Sequence, residues 1–267
     1  MLIDVILIFL VLLISIFIGS VIFWILLNKK FKFWQTIKLY CVASALNKLL
    51  LTPALGYATM SWKLKSDGFP LHRSLASFAV FELFSVLPWL ISGFYFGAKI
   101  TLKVPVFLIV ILVLILLSVI FKREAIIHFL KNVLNYLKEL KFGFLGIIPL
   151  VITNVALGTI YYFFLFKVFG FSLKLLDILK VSSVSFTLGY LSILPSGLGV
   201  KEGSMIYLLA KQGISLSSST SIAITDRLLV TSLYASLGFL FGANIIKDEI
   251  KRRFFRIRNH SRAIGKN

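Results

Sequence analysis

Gly93-Phe94-Tyr95-Phe96-Gly97-Ala98 returns 145 residues later as Gly238-Phe239-Leu240-Phe241-Gly242-Ala243. The same shift puts Met60 on Met205, Leu64 on Leu209, Gly68 on Gly213, Leu71 on Leu216, Ser74 on Ser219 and Leu83 on Leu228. Just upstream, at a shift of 143, Leu55-Gly56 falls on Leu198-Gly199. Apolar helices coincide by chance at leucine and phenylalanine, but glycines kept in step are harder to obtain by accident. The pattern predicts two structural repeats within one chain.

Composition says where those repeats live. Of the 267 residues 59% are hydrophobic and 15% charged, against roughly 45–50% and about 25% in a soluble domain. Too few polar side chains remain to coat a soluble globule, which excludes soluble, disordered and secreted-scaffold classes. Cys41 is the single cysteine, so no intrachain disulfide framework or zinc ribbon is possible. The expected fold is all-α and polytopic in a membrane.

Seven apolar stretches read as spans, near 1–27, 33–52, 74–98, 104–121, 144–169, 175–195 and 220–246. The first is apolar apart from Asp4 and longer than a cleavable signal core, so it reads as a retained span. Two short segments bounded by Pro and Gly, 56–66 and 200–212, cannot cross a bilayer and read as re-entrant. The domain reading is one integral membrane unit over 1–267. Repeat one covers about 1–121, an interfacial amphipathic helix 122–142, repeat two about 144–246, and a basic cytoplasmic tail 247–267.

The net charge of +19 arises from 29 basic and 10 acidic residues. Most of the basic residues fall in clusters between spans: Lys29 to Lys38, Lys63 to Arg73, Lys122 to Lys141, and the tail. No nucleic-acid recognition motif accompanies them, and loops facing an anionic cytoplasmic leaflet account for the charge. All four clusters share one side only if 33–66 enters and returns on the same face. The N-terminus is then outside, the C-terminus cytoplasmic, and the two repeats inverted. Inverted repeats with paired broken helices are the signature of a transport fold.

Six charged residues fall at membrane depth: Lys48, Glu82, Lys201, Glu202, Asp226 and Arg227. Each costs roughly 2.5–3.5 kcal/mol at the bilayer centre if unpaired, so pairing, hydration or both are required. A purely structural role would pair Lys48 with Glu82 and Arg227 with Glu202. Buried pairs stabilise poorly compared with apolar packing, and so many of them favour a functional cavity. Within 194–203, Pro195, Gly197 and Gly199 break a helix, and a short helix restarts near Val200. Its free N–H groups and positive dipole end suit a phosphate or carboxylate. Lys201 and Arg227 add positive charge there, and Glu202 and Asp226 set selectivity.

Enzymatic signals are weak. His72, His128 and His260 lie far apart, no metal-ligand spacing occurs, and neither a phosphate-binding lysine loop nor a nucleophile elbow is present. No catalytic residue, metal or cofactor is assigned.

The run LPSGLGVKEGSMIYLL at 194–209, with Thr225-Asp226-Arg227-Leu228-Leu229 and Ser236-Leu237-Gly238-Phe239, resembles the flippase-like membrane family that includes the transmembrane region of lysylphosphatidylglycerol synthases. The first half resembles it through Ala45-Leu46-Asn47-Lys48, Pro53, Gly56, Gly68-Phe69-Pro70 and Glu82. Pro195, Gly197, Gly199 and Glu202 match the signature loop and Arg227 the helix arginine. Ser196 stands where the family usually has glycine, and Leu83 where an arginine is common. The chain resembles the stand-alone members, without a synthetase domain. The resemblance implies translocation of lipids with charged head groups, such as aminoacylated phosphatidylglycerol or polyprenyl-phosphate-linked sugars, in the cytoplasmic membrane. Expected partners are those lipids, with a homo-oligomer and a separate lipid-modifying enzyme also open. The other readings are a membrane-embedded transferase using a lipid-linked donor and an ion-coupled small-solute transporter.

Overall fold

The computed structural model describes residues 2–49, 53–99, 131, 133–136, 138, 143–192 and 194–264. Every regular element among them is helical: α1 (Leu2–Leu26), α2 (Phe33–Leu49), α3 (Pro53–Ser66), α4 (Leu71–Lys99), α5 (Gly143–Val168), α6 (Leu175–Leu191), α7 (Val200–Lys211) and α8 (Leu216–Ile264), with a 3₁₀ turn at Pro195–Gly197. The protein is an all-helical membrane protein.

Among the described residues four helices are long and apolar enough to cross a bilayer: α1, α4 over Leu71–Gly97, α5 over Leu145–Val168, and α8 over Leu216–Ala243. The stretches expected as spans at 33–52 and 175–195 form α2 and α6, each 17 residues long. At 1.5 Å per residue α6 is about 25 Å long, short of a hydrocarbon core of roughly 30 Å, and the end of the 33–52 stretch lies outside the described residues. The seventh expected span, 104–121, lies outside the described residues. The segments expected at 56–66 and 200–212 are α3 and α7, of 14 and 12 residues.

The polarity is inside out, as lipid requires. Large apolar side chains are exposed along α1 (Ile6, Leu10, Phe17), α5 (Leu145, Ile152) and α8 (Leu228, Phe239). Ser182, Ser183, Ser185 and Thr187 of α6 are buried, together with Asp226 of α8. Backbone polar groups close within the helices, and the side-chain polar groups turn toward protein.

Packing follows the helix order. The hairpins α2–α3 and α6–α7 each fold on themselves, α1 packs on α5, α2 on α8, and α4 on α6. Phe23, Phe78 and Phe81 anchor one core, around α1, α2 and α4. Phe166, Ile178 and Leu209 anchor the other, to which α1 contributes Ile8, Val11 and Leu12. The glycines of the repeated motif set the close approaches. A Cβ on Gly93 would meet Thr187 Oγ1 at 2.1 Å and the Ser183 carbonyl at 2.7 Å; one on Gly238 would meet Ala45 Cβ at 2.2 Å and lies near the Cys41 carbonyl. In both crossings a glycine of a long helix seats a short helix through residues four apart, the small-residue contact that lets helices approach closely in lipid.

The structure bears on two of the surface segments. The tail from 247 was read as separate from the last span, but α8 runs as one helix of 49 residues to Ile264. Of the helix expected at 122–142, only 131, 133–136 and 138 are described, and these are helical. There Tyr136 is buried, accepting a hydrogen bond from Ser77 Oγ of α4 at 2.9 Å, while Lys131 and Lys138 are exposed. That part of the segment is docked on the helical core through a tyrosine.

Candidate functional site

The site begins where α6 stops. After Leu191 the chain becomes extended at Ser192, whose hydroxyl turns back to the Gly189 carbonyl at 2.7 Å. The 3₁₀ turn then reverses the chain with Ser196 at φ 51° and Gly197 at φ 67°, and Gly199 at φ 81° precedes α7. Positive φ costs a side-chain-bearing residue roughly 1–2 kcal/mol, and Ser196 is restrained at both ends. Its hydroxyl donates to the Asn47 carbonyl of α2 at 3.2 Å, and its own carbonyl accepts from Arg227 at 3.1 Å.

Gly197 lies on the end of α6. A Cβ there would sit 2.6 Å from the Gly189 carbonyl oxygen and 2.8 Å from its Cα, both backbone atoms that cannot swing away. Gly197→Ala therefore combines φ strain with overpacking of about 1–3 kcal/mol. We expect a stability loss of about 2–4 kcal/mol, seen as a lower unfolding midpoint in detergent, with a much smaller change for Gly203→Ala. Gly203 has open space at its Cβ position and lies inside α7.

The first turn of α7 presents Lys201 and Glu202 to Asp226 and Arg227 on α8. Lys201 Nζ lies 2.7 Å from Asp226 Oδ2, and Arg227 donates to Glu202 Oε1 at 3.1 Å. The Asp226 side chain is 3% exposed and has further donors from α5: Tyr161 at 2.9 Å to Oδ1 and Tyr162 at a longer 3.4 Å to Oδ2. Lys201 Nζ also stands 5.9 Å from the Tyr162 ring centre. Glu202 Oε2 accepts the Gly199 N–H at 2.7 Å. That carboxylate closes the helix start, so the anion position expected at the N-terminus of α7 is filled by the protein's own acid.

Of the two pairs expected from sequence, Arg227–Glu202 forms and Lys48–Glu82 does not. Lys48 Nζ lies over the Tyr234 ring, 5.1 Å from its centre, and Glu82 accepts from Tyr57 at 2.7 Å. Of the expected residues, Lys201, Glu202, Asp226 and Arg227 thus form one charged cluster, with Gly197 and Gly199 shaping its loop. Lys48 and Glu82 each meet a tyrosine, and the Ser196–Asn47 bond ties the chain beside Lys48 to that loop.

Sequence reasoning missed the hydroxyls. Tyr161 and Tyr162 stand beside Phe163 and Phe164 in a strongly aromatic stretch, and nothing in residue type or spacing sets them apart. Tyr57 carries a usable signal, since the 145-residue shift places it on Glu202 and places Glu82 on Arg227.

A helical chain with apolar outer faces, broken hairpins and ion pairs at membrane depth defines a polytopic membrane protein built around a buried polar centre. The model of the lysylphosphatidylglycerol synthase TM region matches residues 2–238, and the chain belongs to that family. A membrane protein of Methanothermobacter thermautotrophicus, described as a UPF0104 membrane protein, is 29% identical over 127 residues. The match takes in 46% of this chain and 37% of that relative. No solved structure matches. The family is associated with lipid-related function.

Proposed function

We propose that the chain translocates lipids with a charged head group across the cell membrane, the head group passing through a polar cavity between two inverted repeats while the acyl chains stay in lipid. The observation that carries this reading is the charged quartet Lys201, Glu202, Asp226 and Arg227, held against a broken helix. A head group crossing hydrocarbon alone meets the same penalty as an intramembrane side chain, several kcal/mol per charge, and a preassembled polar path removes much of it.

The repeat reading gains support from paired contacts. Gly93 against Ser183 and Thr187 has its image in Gly238 against Cys41 and Ala45. The Tyr57–Glu82 bond has its image in Glu202–Arg227. The lengths repeat as well, α2 and α6 both having 17 residues. The basic clusters favour opposite orientations for the two repeats, an outside N-terminus and a cytoplasmic C-terminus. The sequence offers no activated nucleophile, and transport without covalent chemistry is the simpler role. A homo-oligomer and a separate lipid-modifying enzyme remain partners to seek.

The test is transfer of labelled phosphatidylglycerol and aminoacylated phosphatidylglycerol between leaflets of vesicles containing the purified chain. We expect transfer well above protein-free vesicles, reduced at least about tenfold by Glu202→Gln, which weakens a charge-assisted contact worth roughly 1.5–3 kcal/mol. No transfer by the wild-type chain, or full transfer by the variant, would overturn the assignment.

A further inference from the structure

The two halves of the polar centre differ in charge pairing, and that difference describes a ligand. In the second half each charged group has a counter-ion: Lys201 with Asp226 and Arg227 with Glu202. In the first half, the 145-residue register puts Tyr57 at Glu202, Phe81 at Asp226 and Glu82 at Arg227. The hydrogen bond between the corresponding positions survives as Tyr57–Glu82 at 2.7 Å, but a phenol carries no charge to set against the carboxylate. Among the described residues no cation lies within 4.0 Å of Glu82, and no carboxylate within that distance of Lys48. The two are in electrostatic range of each other without closing a pair.

Gly56 packs directly on Asn47, where a Cβ would collide with the Asn47 side-chain oxygen. The Asn47 side-chain oxygen is itself buried and has no hydrogen-bond partner, on a residue 8% exposed. A lone carboxylate, an unpartnered amide oxygen and a lone ammonium inside a membrane protein are each costly. One molecule carrying both a cation and an anion would relieve them together.

We propose that Lys48 and Glu82 hold a zwitterionic head group, with its phosphate at Lys48 and its primary ammonium at Glu82 beside Asn47. This rests on the lipid-translocation reading and adds the ligand's polarity and the two ends of its binding mode. The ligand's ammonium supplies Glu82 with a counter-ion and its phosphate does the same for Lys48, so that the bound centre is charge-paired throughout. The already paired quartet then forms the wall against which the head group sits. Lys48 reaches a phosphate as a point charge, while Tyr57 holds the Glu82 carboxylate in place.

The experiment measures binding of the purified full chain to three probes: phosphatidylethanolamine in mixed micelles, phosphatidylglycerol in the same micelles, and soluble glycerophosphoethanolamine. We expect phosphatidylethanolamine to bind about tenfold more tightly than phosphatidylglycerol, the effect of one additional charge-assisted contact. Glu82→Gln is expected to bring the two lipids within about twofold, and Lys48→Gln to weaken both by about tenfold. The wild-type ratio and the Lys48→Gln result decide the matter even if Glu82→Gln does not fold. Equal binding of the two lipids by wild type, or a preference untouched by Glu82→Gln, overturns the zwitterion assignment and leaves translocation standing. Failure of both lipids to bind overturns the lipid reading as well. Soluble probe binding as tightly as lipid supports the head-group chemistry and overturns the membrane lipid as its source.

Discussion

Asp226→Ala is expected to destabilise the folded chain by about 3–5 kcal/mol, the range found when one member of a buried ion pair is removed. The two tyrosine bonds are the smaller part of this, because hydrogen bonds between membrane helices average only about 0.6 kcal/mol. The larger part is Lys201, whose side chain is 20% exposed and whose ammonium would lose its counter-ion. Asp226→Asn keeps an acceptor for Tyr161 but not the charge, and it should fall close to the alanine variant. Lys201→Met in the Asp226→Ala background should recover more than half of the loss, since the apolar chain occupies the same room without a charge to strand. Thermal unfolding in detergent of the four proteins checks this. A loss under about 1 kcal/mol for Asp226→Ala, or no recovery in the double variant, would show that the lysine is solvated and the pair contributes little.

The partner of Asp226 also marks where sequence reading stops. The glycine-broken loop and the pairing of Arg227 with Glu202 were legible, because each depends on residue type and spacing. The partners of Asp226 and Glu82 were not. One helical position is a rotation of about 100°, so which side chain in the first turn of α7 reaches Asp226 is settled by how α7 lies on α8. The close approach of Gly189 to Lys201 helps set that placement, a Cβ at 189 lying 2.8 Å from Lys201 Cβ, and it is a tertiary fact. The tyrosines were hidden by company: in a chain with 15% aromatic residues, a buried phenol looks like one more lipid-facing ring. Helix ends failed for a related reason. Apolarity continues past Leu191 through Ile193 and Leu194, which disguised the end of α6 at Leu191. In α8 apolarity fades after Ile246, yet no Gly or Pro occurs from Ala243 to Ile264, so nothing stops the helix.

Arg227→Ala should abolish translocation while the chain remains folded, a loss of about 100-fold or more. One guanidinium nitrogen donates both to the Ser196 carbonyl and to Glu202 Oε1, each at 3.1 Å. It therefore ties the reversed turn to the first turn of α7 and to α8. Truncating a hydrogen-bonded buried charge costs roughly 2–5 kcal/mol, or about 30- to several-thousand-fold if the loss falls on the transport step. Arg227→Lys keeps the charge but loses the planar fork, and it should retain an intermediate rate. The informative protein is Arg227→Ala with Glu202→Gln, because it removes the stranded carboxylate charge. If the arginine serves only to neutralise Glu202, the double variant should regain both stability and transport. If the pair shapes the path for the head group, stability should return and transport should not. The second result is expected, because Ser196 at φ 51° would still lack the donor that fixes its carbonyl, and the turn that forms the wall of the site would be free to relax.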